Sequence, residues 1–182
     1  FLNIGGIANI SFKGNGFYDA FDVCPANRVL NMLAALKDLS FDQDGALAAA
    51  GRIKEDLLYQ LNQQDYYKAD YPKSLDNAFG IKTIYPLLAA SGLSTEDQLA
   101  TYAEHIALQI SSAIEKIFSK RNLSQTSEKM LVTGGGAYNN YLVSRISQHV
   151  LPYGIEVVLP EKEIIEYKEA LIMALLGVLR WR

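Results

Sequence analysis

At 182 residues, with 49% hydrophobic and 20% charged side chains, the chain has the size for one good core or for one lobe of a larger protein. A formal net charge of −3 argues against nucleic acid or an anionic membrane surface as partner, and no apolar run reaches the length of a membrane span. The single cysteine, Cys24, excludes an internal disulfide framework and points to a reducing compartment, so the cytoplasm is the expected location.

The chain begins at Phe1 inside a strand pattern, with no initiator methionine and no signal layout, and is expected to be part of a longer protein. "FLNIGG" and "IANISF" read as two strands joined at Gly5 and Gly6, because glycine in mid-strand packs nothing and glycine-containing turns favour hairpins. "KGNG" is a second turn, and the alternating "FYDAFD" completes a three-stranded antiparallel meander. In "ANRVLNMLAALKDL", Val29, Leu30, Leu33 and Leu36 fall on one helical face. Gly45 and Gly51 bracket a small alanine-rich turn or helix, and "IKEDLLYQLNQ" is a short amphipathic helix.

Residues 65–80, with three tyrosines, a proline and few aliphatics, read as a loop or insertion. The clearest helix starts at "STEDQ", capped by Ser94 or Thr95, with the apolar face Leu99, Tyr102, Ile106, Ile110, Ile114 and Ile117. "RNLSQTSEK" is a polar connection, followed by the strand "MLVTGGGA", the helix "NNYLVSRISQHV", the strand "IEVVLP" and a final helix, "YKEALIMALLGVLRW", expected to be largely buried. Strand-helix-strand-helix calls for a parallel pair. No repeat or linker divides the chain, so residues 1–182 are one unit.

Two glycine clusters at strand ends could face one cleft. The first hairpin can present backbone N–H groups to a phosphate, and the triple glycine can let a nucleotide lie against bare backbone at a helix start. A purely structural hairpin remains open for "NIGGIAN". "TGGGAYNN" matches neither the G-x-G-x-x-G nor the G-x-x-x-x-G-K-[ST] pattern, which sets aside those two classes.

The strings "FLNIGGIANISF", "FDVCPANRVLN", "FDQDGALAAAG", "YPKS", "LVTGGGAYNNYLVSRI" and "KEALIMALLGVLRW", in that order, resemble the C-terminal half of the anhydro-N-acetylmuramic acid kinases, members of the actin/Hsp70/sugar-kinase superfamily. The resemblance implies an α/β, ribonuclease-H-like (actin-like ATPase) lobe with a five-stranded mixed sheet flanked by helices. It implies ATP with magnesium as cofactors and a small amino sugar as substrate. Gly5, Gly6 and Asn9 would meet the phosphates, with Asn3 standing where the superfamily often has an acid. Gly134, Gly135, Gly136 and Asn139 would meet adenosine, and Asp22, Asn27 and Glu169 would lie near the sugar. The first lobe, with its phosphate loop and aspartate base, would lie outside this chain, so no catalytic base is nominated here. No metal-ligating residue is nominated, and a homodimer is left open.

Two segments depart from the family. Its D-T-G-P-G-N is here Asp22-Val23-Cys24-Pro25-Ala26-Asn27, where Cys24 and Ala26 remove easy access to positive φ, so a differently shaped loop is expected. Its P-K-S-x-G-R-E-x-F is here Pro72 to Phe79, without the arginine and glutamate, which leaves the sugar open. An actin- or Hsp70-like chaperone ATPase lobe and a non-catalytic relative therefore stand as alternatives. Among other candidates, His105 and His149 read as surface or satisfied histidines, Asp38, Asp42 and Asp44 as a turn-forming acidic loop, and Tyr66, Tyr67 and Tyr71 as a loop packed on its own lobe. Cys24 reads as a small filler.

Overall fold

The computed structural model describes residues 1–14, 16–123 and 127–181. Strands β1 (Leu2–Ile4), β2 (Ile7–Gly14), β3 (Phe17–Pro25), β4 (Glu128–Thr133) and β5 (Ile155–Val158) form one sheet in the order β3-β2-β1-β4-β5. The first three make the expected antiparallel meander, while β4 runs parallel to both β1 and β5. Leu2, Ile4, Ala8 and Ile10 are buried on one face, and the residues between them must point to the other. Register then sets Thr133 beside Asn3, Asn3 beside Asn9 and Asn9 beside Asp22. Since registered partners share a face, one polar row crosses four strands.

The helices are α1 (Asn27–Ala34), α2 (Ala46–Ala50), α3 (Glu55–Asn62), α4 (Asp65–Lys68), α5 (Asn77–Phe79), α6 (Tyr85–Ala89), α7 (Thr95–Arg121), α8 (Asn140–Val150) and α9 (Lys162–Trp181). The core is built around α7, which packs against α1, α2, α3, α8 and β3. Ser94 caps it through its hydroxyl, which accepts from the Asp97 N–H, and Glu96 and Asp97 add favourable charge to the first turn. Its expected face is fully buried, and burial extends all round residues 98–107.

Three expectations need correction. Leu36 lies beyond the end of α1 and is 53% exposed, because the helix tightens into a 3₁₀ turn at Ala35 and the apolar stripe leaves the core. Residues 65–80 are not all loop, since α4 and α5 form within them. Tyr67 and Tyr71 are buried, and the Tyr71 ring stacks on Phe21 at 4.7 Å, as a loop packed on its own lobe requires. The largest correction is α9, which has no buried residue, with Leu171 68% exposed. Its first turns carry charged residues, but from Ala170 to Leu179 it is apolar on all sides, the pattern of a buried helix. Its first turns meet the rest of the fold through Ile165, which packs on the core, and Lys168. Of the expected turn and polar connection, Asn15 and residues 124–126 lie outside the described residues.

Candidate functional site

Because β1 and β4 are parallel neighbours, the turns that follow them open at the same end of the sheet. The Gly5-Gly6 turn is tied to the start of α1: the Ala26 N–H donates to Gly6 O at 2.8 Å and the Asn27 N–H to Gly5 O at 3.0 Å. The Asn27 side-chain amide adds a bond to Ile4 O at 3.1 Å. The Gly5 N–H donates to Ile7 O, whereas the exposed Gly6 N–H has no partner among the described residues. Neither glycine has positive φ. A Cβ added to Gly5 or Gly6 would meet nothing nearer than 3.6 or 3.8 Å, so internal packing does not explain why this turn is bare.

The second cluster behaves differently. Gly134 has φ +81°, and a Cβ there would stand 2.6 Å from Ile4 O; one on Gly136 would stand 2.3 Å from Ile4 Cγ2. Both are required by the close approach of the turn to β1. At Gly135 the nearest atom would be Asn27 Nδ2 at 3.4 Å, an ordinary contact. Asn139 caps α8, its Oδ1 accepting from the Leu142 N–H at 2.9 Å. Between this turn, α1 and the loop after it lies a cavity of about 280 Å³, lined by Asn27, Asn31, Phe41, Gly135, Gly136 and Tyr138 among others. That volume is at the small end of ligand pockets.

Asp42 and Asp44 also border the cavity, in structural roles. Both Asp42 oxygens cap α2, accepting from the Leu47 and Ala48 N–H groups at 2.8 and 3.0 Å. Asp44 accepts from Gln43 and Asn140. Asp42 is buried rather than solvated, and Asp38 and Asp44 take left-handed turn conformations.

The residues expected at the sugar separate. Asp22, on the polar row with Asn9, anchors the loop after α4: its Oδ2 accepts from the Leu75 N–H at 2.8 Å and its carbonyl from the Tyr66 hydroxyl at 2.7 Å. Asn27 lies instead with the glycine cavity. Glu169 is exposed on α9. Its neighbour Lys168 donates to Asn3 Oδ1 and, at 3.0 Å, to Thr133 Oγ1. Sequence reasoning passed over Lys168, Phe41 and Tyr138, because nothing in their local spacing announces the strands and turns they approach. In the departing loop, neither Cys24 nor Ala26 has positive φ, and Ala26 flanks α1 at φ −131°. The loop is thus shaped without the two glycines.

Titratable groups away from the glycine turns have plain structural causes. Cys24 is fully buried, which pushes its thiol well above the usual range and leaves it protonated. Burial, followed by the charge of Lys116, lowers Lys73 to about 8. His105 is buried, with Nδ1 2.7 Å from Asn62 Oδ1 and Nε2 3.1 Å from the Tyr67 hydroxyl, and burial lowers its pKa to about 3. His149 meets the carboxylate of Glu104 at 2.8 Å. Both histidines are satisfied within the fold.

Comparison with known proteins adds the following. A family model described as anhydro-N-acetylmuramic acid kinase matches residues 1–181. The protein named anhydro-N-acetylmuramic acid kinase in Rhizobium rhizogenes is 38% identical over 161 residues, covering 86% of this chain and 40% of the relative. Its namesake in Salinibacter ruber is 34% identical over 185 residues, covering 97% of this chain and 46% of the relative. The chain thus spans less than half the length of these curated relatives. Among solved structures, the activator of 2-hydroxyisocaproyl-CoA dehydratase from Clostridium difficile superposes with a TM-score of 0.51 at 18% identity, over 88% of this chain and 53% of that one. This likeness bears out the ribonuclease-H-like, actin-like ATPase fold with its five-stranded mixed sheet.

Proposed function

Because the chain belongs to the anhydro-N-acetylmuramic acid kinase family, we propose that it is the nucleotide-holding C-terminal lobe of an ATP-dependent kinase for 1,6-anhydro-N-acetylmuramic acid, acting in the cytoplasm in cell-wall recycling. One observation carries the nucleotide role: the Gly5-Gly6 turn is bare without internal cause, offers the exposed Gly6 N–H, and is tied through Asn27 to the glycine-floored cavity. A backbone donor fixed in this way can hold a phosphate oxygen without reorganising. The structural neighbour, solved with bound ADPNP, supports ATP as the nucleotide.

In the intact kinase, water would open the anhydro ring and the released O6 would take the γ-phosphoryl group, with the activating base supplied from outside this chain. Gly5, Gly6 and Asn9 would face the phosphates and Gly134, Gly135, Gly136 and Asn139 the adenosine. Asp22 and Glu169 would serve the sugar, while Asn27 joins the nucleotide cavity. Magnesium would arrive as a complex with the nucleotide and neutralise phosphate charge, without a carboxylate of this chain nominated as its ligand.

The test is ADP formation by the full-length protein with this sugar. The expected result is sugar-dependent turnover, and for the 182-residue chain alone weak ATP binding without turnover. Peptide-stimulated ATP hydrolysis without sugar dependence would point to the chaperone-like alternative, and a full-length protein inert toward the sugar to the non-catalytic one.

A further inference from the structure

Lys168 projects from α9 onto the polar row of the sheet, half-buried, and its ammonium ends on two neutral oxygens, Asn3 Oδ1 and Thr133 Oγ1. Other partly buried cations end on carboxylates: Arg121 on Asp19 at 2.7 Å, Arg145 on Glu104 at 2.6 Å, Lys54 on Asp97 at 2.9 Å. Lys73, Lys116 and Lys120 also lack carboxylates, but they bind the carbonyls of residues 66–71 and thereby fasten that loop. Lys168 fastens no loop. Of the acids on its own helix, Glu166 is paired with Lys162 at 3.5 Å and Glu169 is exposed, and among the described residues no carboxylate meets the Lys168 ammonium.

Its position distinguishes it further. Asn3 Oδ1, which it binds, lies 3.0 Å from the point where a Cβ on Gly134 would stand, and Asn3 Nδ2 lies 3.7 Å from the corresponding point on Gly5. The one amide that holds the lysine therefore borders both glycine turns. An ammonium has three donors, and two are engaged. We propose that Lys168 is a phosphate-binding residue of this lobe: its unneutralised charge and third N–H serve the nucleotide's polyphosphate, while Asn3 and Thr133 aim it. This rests on the nucleotide reading above. The first turn has one cation at its rim, the exposed Arg28, whose Nε lies 3.8 Å from the point where a Cβ on Gly6 would stand. A polyphosphate carries several negative charges, and the half-buried Lys168, held by the amide that borders both turns, supplies a second cation.

The test is calorimetry of the full-length protein with adenosine and with ATP, in wild type, Lys168→Met and Lys168→Gln. The glutamine can keep a bond to Asn3 or Thr133 without the charge. Both variants are expected to lose about tenfold or more in ATP affinity and to keep adenosine affinity. Unchanged ATP binding in Lys168→Gln, or equal losses for adenosine and ATP in both variants, would overturn the proposal and leave the nucleotide cavity standing. Wild type that binds neither ligand would overturn the nucleotide reading itself and this proposal with it.

Discussion

Asn27 donates its side-chain amide to the Ile4 carbonyl at 3.1 Å while its backbone N–H donates to Gly5 O at 3.0 Å, so one residue clamps the start of α1 to the strand end that carries the first glycine turn. The same residue lines the cavity beside Gly135. Asn27→Ala leaves the Ile4 carbonyl without this partner and is expected to lower stability by about 1–2 kcal/mol. ATP affinity should weaken as the turn loosens. Denaturant unfolding and ATP calorimetry on the same variant check both, and a destabilised protein with wild-type ATP affinity would remove Asn27 from the ligand's surroundings.

The glycines divide into two testable groups. Gly136→Ala forces a Cβ against Ile4, and Gly134→Ala adds strain at positive φ, so both are expected to destabilise by about 1–3 kcal/mol. Gly6→Ala meets only an ordinary contact with Arg28 at 3.8 Å and needs no unusual φ, so its unfolding midpoint should stay close to wild type. Its ATP affinity should nevertheless fall, because the methyl group intrudes where a phosphate approaches. A Gly6→Ala protein with unchanged ATP affinity would return this turn to a purely structural role.

Much of the architecture was legible because it follows from local pattern. The meander shows in the Gly5-Gly6 break and in the alternation of residues 17–22, and α7 in its 3.6-residue stripe and Ser94 cap. Placement across the chain was not legible. Lys168 meets Asn3 over a separation of 165 residues, and Asn27 reaches Ile4 over 23, so no window of sequence displays either pair. The family strings grouped Asn27 with Asp22, whereas α1 carries it to the glycine cavity. Helix α9 misled for a physical reason: its composition records the need for apolar cover but not what supplies it.

Acid should weaken the fold in two separable windows, the first set by His105. Its pKa is about 3 in the fold against 6.5 unperturbed, because burial opposes its charge. Below pH 6.5 the unfolded chain binds this proton and the folded chain does not, so stability falls as pH drops toward 3. The slope contributed by this group approaches about 1.4 kcal/mol per pH unit. Urea unfolding between pH 6.5 and 5 should show it, and His105→Phe, though less stable overall, should have the shallower slope. Equal slopes in the two proteins would mean that His105 is protonated in the fold.

The second window belongs to Glu104, the buried carboxylate between α7 and α8. Burial alone would raise its pKa, but hydrogen bonds from Arg145 Nε at 2.6 Å and His149 Nε2 at 2.8 Å outweigh this, so the net shift is below 4.5. A carboxylate depressed in the fold contributes stability that is present above its unfolded pKa and is lost as pH falls through the folded one. This loss therefore begins near pH 4.5, lower than the onset of the histidine effect. Glu104→Gln keeps the shape but removes the charge that Arg145 faces, and is expected to destabilise by about 2–4 kcal/mol at pH 7, less than for a fully enclosed pair because Arg145 is 25% exposed. As pH falls below 4.5 the unfolded wild-type chain takes up the Glu104 proton before the folded one, so the gap between the two proteins should narrow toward pH 3. A gap that stays constant from pH 7 to pH 3 would show that Glu104 acts through its shape rather than its charge.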